Sequence, residues 1–408
     1  MKKISIWIVI LLTTFLIMFM IDDELTDESK LLIKLTTTSS DSAAFVYALG
    51  IFSAGTEEPG EVGSSLLEEY QKVELDEHYL VNEYPESKQL PLPNGELFCN
   101  FREERCLKSL FSIDFDIDEL YQKHQVLIQR LDTFYSFTEY STLTQPILTE
   151  RFPPLRYISA AMRLKLLSAI KMHRSGSSKQ AMRILNAQLS QLRHVLARQD
   201  NLIGKIMFLM KLSEAVEVMS VIRQASKIEV DKIASLSVAE KTLSNAFARE
   251  FALHYNTFES LDDNPEFFNR GGNVPAWVLR LIYKPNMTIN AIAPFFTRLN
   301  RVSGLSHLQF VTEMRSADSV DLSTSSIRNS AGNVLTSIAM PSFDHYISRF
   351  LDFDAKLVLF NSLDRGIETV ANPYYKHELP IIYPNKICFN GPLEDDHLIR
   401  CLRTDVLE

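Results

Sequence analysis

Glycine is scarce in this chain, at 13 of 408 residues, about half the usual share. That scarcity, without a G-X-Y period, excludes a collagen-like chain. Long apolar runs are missing beyond residue 21, which excludes a polytopic membrane protein. Positive charge is also short: 42 Lys plus Arg face 51 Asp plus Glu, a formal net charge of −9. This balance argues against bulk nucleic-acid binding, which needs a basic surface. The common enzyme fingerprints are absent: no G-x-x-x-x-G-K-[ST], no G-x-G-x-x-G, no H-E-x-x-H and no G-x-S-x-G. Their absence lowers the expectation of an enzyme without removing it, because catalytic groups often lie far apart in sequence. No cofactor is implied.

What is present is an ordinary folded composition, 46% apolar and 23% charged. The N-terminus carries Lys2 and Lys3, then an apolar run from Ile4 to Ile21, then Asp22, Asp23 and Glu24. A helix over that run spans about 27 Å, enough to cross a hydrocarbon core. The expectation is an uncleaved anchor at 1–21 in the inner membrane, lipid contact through residues 4–21, and a periplasmic remainder. A cleaved signal peptide is the alternative, but the run ends without an A-x-A pattern.

Four cysteines allow three pairings. The short-loop pairing, Cys99 with Cys106 and Cys388 with Cys401, is expected as disulfides of an oxidising compartment. Neither pair has C-x₂₋₄-C spacing, so no metal site is expected.

The apolar periods predict a mainly α fold: a helical-hairpin domain, bundle or solenoid-like, with a small C-terminal β-hairpin. An acidic, loop-rich cap is expected over 22–112, with short helices near 42–51, 62–72 and 103–111 and a Thr/Ser linker at 36–40. The helical-hairpin part, 113–262, is read as helices at 116–140, 155–174, 178–198, 200–224 and 237–258. Leu120, His124, Leu127, Leu131 and Phe134 form one stripe, and Leu185, Leu189, Leu192 and Leu196 another. Ser177 and Gln180 read as a capping box. The C-terminal part, 263–408, is read as helices at 275–283 and 287–301, a loop over 303–330, a strand at 332–339, a helix at 343–362 and a hairpin over 380–389.

Charge is segregated. Residues 22–150 hold 26 acidic and 9 basic side chains, whereas residues 151–250 hold 7 and 17. The acidic front is expected to pack on the basic middle; the sharper alternative is that the basic helices face anionic lipid or an acidic partner.

Several short segments then come together: Tyr47-Ala48-Leu49-Gly50-Ile51 with Pro59 and Gly63; Phe98-Cys99 with Glu104 and Cys106-Leu107; Leu202-Ile203-Gly204-Lys205; Lys284 to Asn290; Asn329 with Gly332; and Asn372-Pro373-Tyr374. In this order they resemble an uncharacterised family of bacterial inner-membrane-anchored envelope proteins, across most of the part after the anchor. The tail here extends past the family's final hairpin through Cys401. The resemblance implies an exported helical protein and no activity.

Candidate ligand-binding residues are Lys205, in an almost wholly apolar helix start, and Lys284, Asn286 and Asn290 at a helix entrance that could hold a phosphate or carboxylate. The plainer readings are a snorkelling lysine beside Asp200 and ordinary capping. His345, Arg349, Asp352 and Asp354 could be a polar constellation or an exposed ion-pair ladder. Ser303 and His307, four apart, lack an orienting acid. His124 and His194 read as packed. The expected function is binding or scaffolding of an envelope partner; the alternative is an envelope hydrolase or transferase acting on lipid or cell-wall material.

Overall fold

A computed structural model describes residues 13–14, 17–36, 41–72, 84–268, 275–316, 327–340, 342–364 and 366–404. Among the described residues the fold is mainly helical, 65% helix with 16 helices, and ends in one three-stranded antiparallel sheet. The front of the chain forms α1 (Asp27–Leu35), α2 (Ala43–Leu49), α3 (Pro59–Lys72), α4 (Glu104–Ser112), α5 (Ile117–Lys123) and α6 (Gln125–Ser136). The middle forms α7 (Leu155–Arg174), α8 (Ser178–Arg198), α9 (Leu202–Ser226), α10 (Val238–Lys241) and α11 (Ser244–Asp263). Then come α12 (Ala276–Ile282), α13 (Pro285–Ser303), α14 (His307–Ser316), α15 (Ser330–Ala339) and α16 (Asp344–Asn361). The strands are β1 (Ile381–Ile382), β2 (Lys386–Cys388) and β3 (Cys401–Arg403).

The helix α9 is the axis of the fold. Every residue from Leu212 to Arg223 is buried, as expected of a helix covered on all sides. It packs against α7, α8, α11, α16 and β3. The Leu185, Leu189, Leu192 and Leu196 stripe of α8 is buried on it as the period requires. Because α9 carries polar residues into the core, each needs a partner. Glu214 receives Arg163 and Lys211, Glu217 receives Lys356, and Arg223 reaches the Phe360 carbonyl and Asp364. The acidic front does pack on the basic middle, through Asp132 with Lys165, Asp114 with Lys171 and Arg174, and Glu150 with Arg249.

The two disulfides are Cys99–Cys106 and Cys388–Cys401. The second joins directly opposed residues of β2 and β3. The tail beyond the expected hairpin is therefore its third strand.

Six expectations need correction, one being the helix expected over 237–258, which is split at Thr242 and Leu243 into α10 and α11. Among the described residues no helix is long and apolar enough to cross a membrane, which overturns the expected single-pass inner-membrane location. Residues 1–12, 15 and 16 lie outside the described residues. The acidic residues after Ile21 dock on α13. The helix expected over 116–140 is broken at His124 (φ −117°, ψ 20°) and ends at Ser136. Ser177 is the N-cap residue of α8 but makes no side-chain cap, and the neighbouring Ser178 hydroxyl meets His173 Nδ1 at 2.8 Å. The capping box forms instead at Ser237 and Glu240. The run 332–339 is helical, not extended: a short apolar run has no decisive period, and here only one side packs, leaving Val334 and Ile338 exposed four residues apart. The stretch 303–330 contains α14 rather than loop alone, with residues 317–326 outside those described. So are residues 37–40 of the expected Thr/Ser linker and Gly271-Gly272.

Candidate functional site

The first half of α9 carries two apolar faces. Leu202, Phe208, Leu209 and Leu212 are buried in the core. Ile203, Ile206, Met207 and Met210, at i, i+3, i+4 and i+7, stay partly or largely open. Asn201 starts the helix by accepting the Gly204 N–H at 2.8 Å. Opposite lie Leu253, Thr257 and Phe258 of α11, with Ile147 and Leu148 on one rim and Phe343 and Tyr346 at the start of α16. Together they enclose a half-open groove of about 950 Å³. It runs beside α9 from Asn201 to Glu217, about 24 Å at the helical rise.

The walls are apolar in the middle and charged towards both ends. At the Asn201 end, Thr144 Oγ1 donates to Glu150 Oε1 at 2.8 Å, and Arg249 pairs with the same carboxylate. Burial nonetheless pushes the Glu150 carboxyl up to about 7, against the pull of Arg249. Glu250 is pushed up to about 7 for the same reason. Its carboxylate has no hydrogen-bond or ion-pair partner among the described residues. At the other end, Lys356 Nζ donates to Glu217 Oε1 at 2.6 Å and Ser213 Oγ at 2.8 Å. Arg403 closes that end.

Glu250 gives a pH test. Its folded pKa lies above the ordinary carboxylate range, so the folded state favours the protonated acid. The stability this contributes is present below about pH 4 and is lost as pH rises through 7. Glu250→Gln, which resembles the protonated form, is expected to match the parent at pH 4 and exceed it by about 1–2 kcal/mol at pH 8. Denaturant unfolding across that range measures it; an equal gap at both pH values would contradict the assignment.

None of the candidate ligand-binding or catalytic residues singled out from the sequence lines this groove, although Leu202 and Ile203 beside Lys205 do. Lys205 is 2% exposed and donates to the Ala239 and Glu240 carbonyls at 3.1 and 3.3 Å. Desolvation lowers it to about 8 despite Glu240 and Asp200. It therefore closes the end of α10 rather than snorkelling. Asp200 is engaged elsewhere, by the Thr142 N–H and hydroxyl. Lys284 is likewise buried, lowered by desolvation, and bonded to the Arg280 and Tyr283 carbonyls.

Asn286 and Asn290 do sit at a helix entrance that holds a carboxylate, and the carboxylate is the chain's own. Asp22 accepts the Asn286 N–H at 2.8 Å and the Met287 N–H at 3.3 Å. Asn286 Nδ2 donates to the Asp23 carbonyl and Asn290 Nδ2 to that of Glu24. Asn290 Oδ1 also accepts from the Thr26 N–H and the Ser29 hydroxyl. These bonds fasten the residues before α1 to α13, while α1 packs on α11 and α13.

The other constellations are dispersed. Asp352 and Asp354 are buried, not an exposed ladder. Asp352 accepts from Tyr374 Oη at 2.7 Å and Arg400 Nη1 at 3.1 Å, and burial raises it to about 7. Asp354 takes the Leu236 N–H and Lys241. Arg349 lies over the Tyr346 ring at 4.8 Å. Ser303 donates to the Asn300 carbonyl, and His307 Nε2 meets that of Leu351 at 2.9 Å, so the two form no pair. His124 is buried; His194 is exposed. Sequence reasoning missed the groove residues, although the Ile203–Ile206–Met207–Met210 period, on a helix with a second apolar face, was available as a signal.

No protein-family model, curated protein or solved structure matches this chain.

Proposed function

We propose that this chain is a binding protein that holds an elongated apolar ligand along the Ile203–Met210 face of α9. The observation that carries this reading is the uncovered i, i+3, i+4, i+7 stripe at the base of a groove of about 950 Å³. Sites of that size with a mostly apolar surface and polar groups towards their ends are typical of ligand pockets. Two disulfides suit an oxidising compartment, where such a ligand would be met.

Met207→Trp, which fills the groove from its floor, is expected to weaken binding of an apolar fluorescent probe at least tenfold. The unfolding midpoint should stay close to the parent's, because Met207 is only partly buried. Probe titration of both proteins decides the matter; undiminished binding to the tryptophan variant would place the ligand elsewhere.

One observation favours a second reading, an enzyme acting on lipid or cell-wall material. Glu150 and Glu250 line the same groove and are both held near neutral pKa, a property suited to general acid–base work. Hydrolysis of a long-chain nitrophenyl ester that disappears in Glu250→Gln, with probe binding retained, would favour it.

A further inference from the structure

Arg403 is only 6% exposed, yet its guanidinium has no carboxylate partner among the described residues. Its Nη2 donates to the Phe101 carbonyl at 3.0 Å and, at 3.5 Å, to that of Arg102. Its Nη1 is buried without a partner. A buried guanidinium left short of acceptors is costly, and buried charges are normally matched. The other basic side chains at this groove are matched, with Lys211 on Glu214, Arg249 on Glu150 and Lys356 on Glu217. Arg102 is the exception: it is exposed and makes no ion pair among the described residues. His397 completes the same end, with a buried Nδ1 that also lacks a partner.

Among the described residues the acidic groups nearby are committed or outside, Glu214 being held by Arg163 and Lys211. Glu217 accepts from Lys356 and from the Arg403 backbone N–H at 3.1 Å. Asp395 takes the Ile399 and Arg400 N–H groups, and Asp396 is exposed. One end of an apolar groove thus has cationic groups in excess, and its middle has none.

We infer that the ligand is a single-chain amphiphile with a carboxylate head, seated with the head at Arg403, Arg102 and His397 and the chain along Ile206, Met207 and Met210. This rests on the groove-binding reading above and adds the head-group chemistry and the direction of the ligand. The head would accept charge-assisted hydrogen bonds from the exposed Arg102 guanidinium and balance the positive charge of the buried Arg403 beside it. The chain replaces water on the open face of α9.

The test is calorimetric titration of the intact protein with saturated fatty carboxylates of ten to sixteen carbons, and with the matched alcohols and alkyl-trimethylammonium ions. Affinity should rise about fourfold per added methylene until the groove is filled. The carboxylate should exceed the matched alcohol by about tenfold or more, with the cationic amphiphile weaker still. Arg403→Gln should reduce that preference to under about threefold while alcohol binding persists. Should that variant fail to fold, Arg102→Gln, on the exposed rim, is expected to reduce the preference about threefold. Equal binding of carboxylate and alcohol by the parent would overturn the head-group assignment and leave the groove reading intact. No binding by any chain, with no dependence on chain length, would overturn both.

Discussion

Gly63→Ala is expected to destabilise the protein by about 3 kcal/mol or more, the upper end of what overpacking costs. The helices α2 and α3 approach so closely that a Cβ on Gly63 would lie 1.8 Å from the Val46 carbonyl oxygen and 2.8 Å from its carbon. The approach is reciprocal, since a Cβ on Gly50 would lie 2.0 Å from the Pro59 carbonyl oxygen. Backbone atoms, unlike the end of a flexible side chain, can yield only by moving a helix. Phe45, Ala48 and Leu49 of α2 and Leu66 of α3 are buried in the core, so that movement would open it. Gly60, in the same helix, has nothing within 4 Å of its Cβ position. Gly60→Ala should therefore be neutral or stabilising, by up to about 1 kcal/mol from helix propensity. Urea unfolding of the two variants separates steric conflict from propensity. Equal midpoints would refute the close-packing argument.

Glu217→Ala should be comparably severe, at about 3–5 kcal/mol. Lys356 is 1% exposed and its ammonium faces Glu217 from α16 across the core. Removing the carboxylate leaves a buried cation with only the Ser213 hydroxyl, and also removes the acceptor of the Arg403 N–H. The penalty comes from the stranded charge more than from the lost attraction. The double variant Glu217→Leu with Lys356→Met is accordingly expected to recover most of the loss. A double variant as unstable as the sum of the two singles would show that no coupling joins them.

The residues quoted for the family resemblance take structural positions. Gly63 makes the tight α2–α3 approach. The Asn329 side chain accepts the Lys284 N–H at 2.9 Å and also bonds Thr288. A Cβ on Gly332 would lie 2.1 Å from the Thr288 hydroxyl. Tyr374 holds Asp352, and Asn372 Nδ2 reaches the Asn390 carbonyl. Short polar motifs scattered along the chain thus meet as fasteners between elements.

Local rules were enough for much of this protein. Helical period and flanking Pro and Gly set α7 and α8 to the residue, and short loops set both disulfides. Where one apolar run served two environments, the sequence was silent. The 332–339 run became a helix because only one of its sides found a neighbour. The acidic residues after the N-terminal run became a cap for α13, because the free N–H groups of Asn286 and Met287 lay within reach of Asp22. The groove is the clearest case. Apolar spacing marks Ile203, Ile206, Met207 and Met210 as a face but cannot say whether it is covered. That depends on where α11 and the C-terminal strands stop, and hence on contacts between residues as far as 302 positions apart. Secondary structure and the covalent links follow from nearest neighbours along the chain; an unfilled face and an unmatched arginine exist only once distant elements have taken, or failed to take, the space beside them.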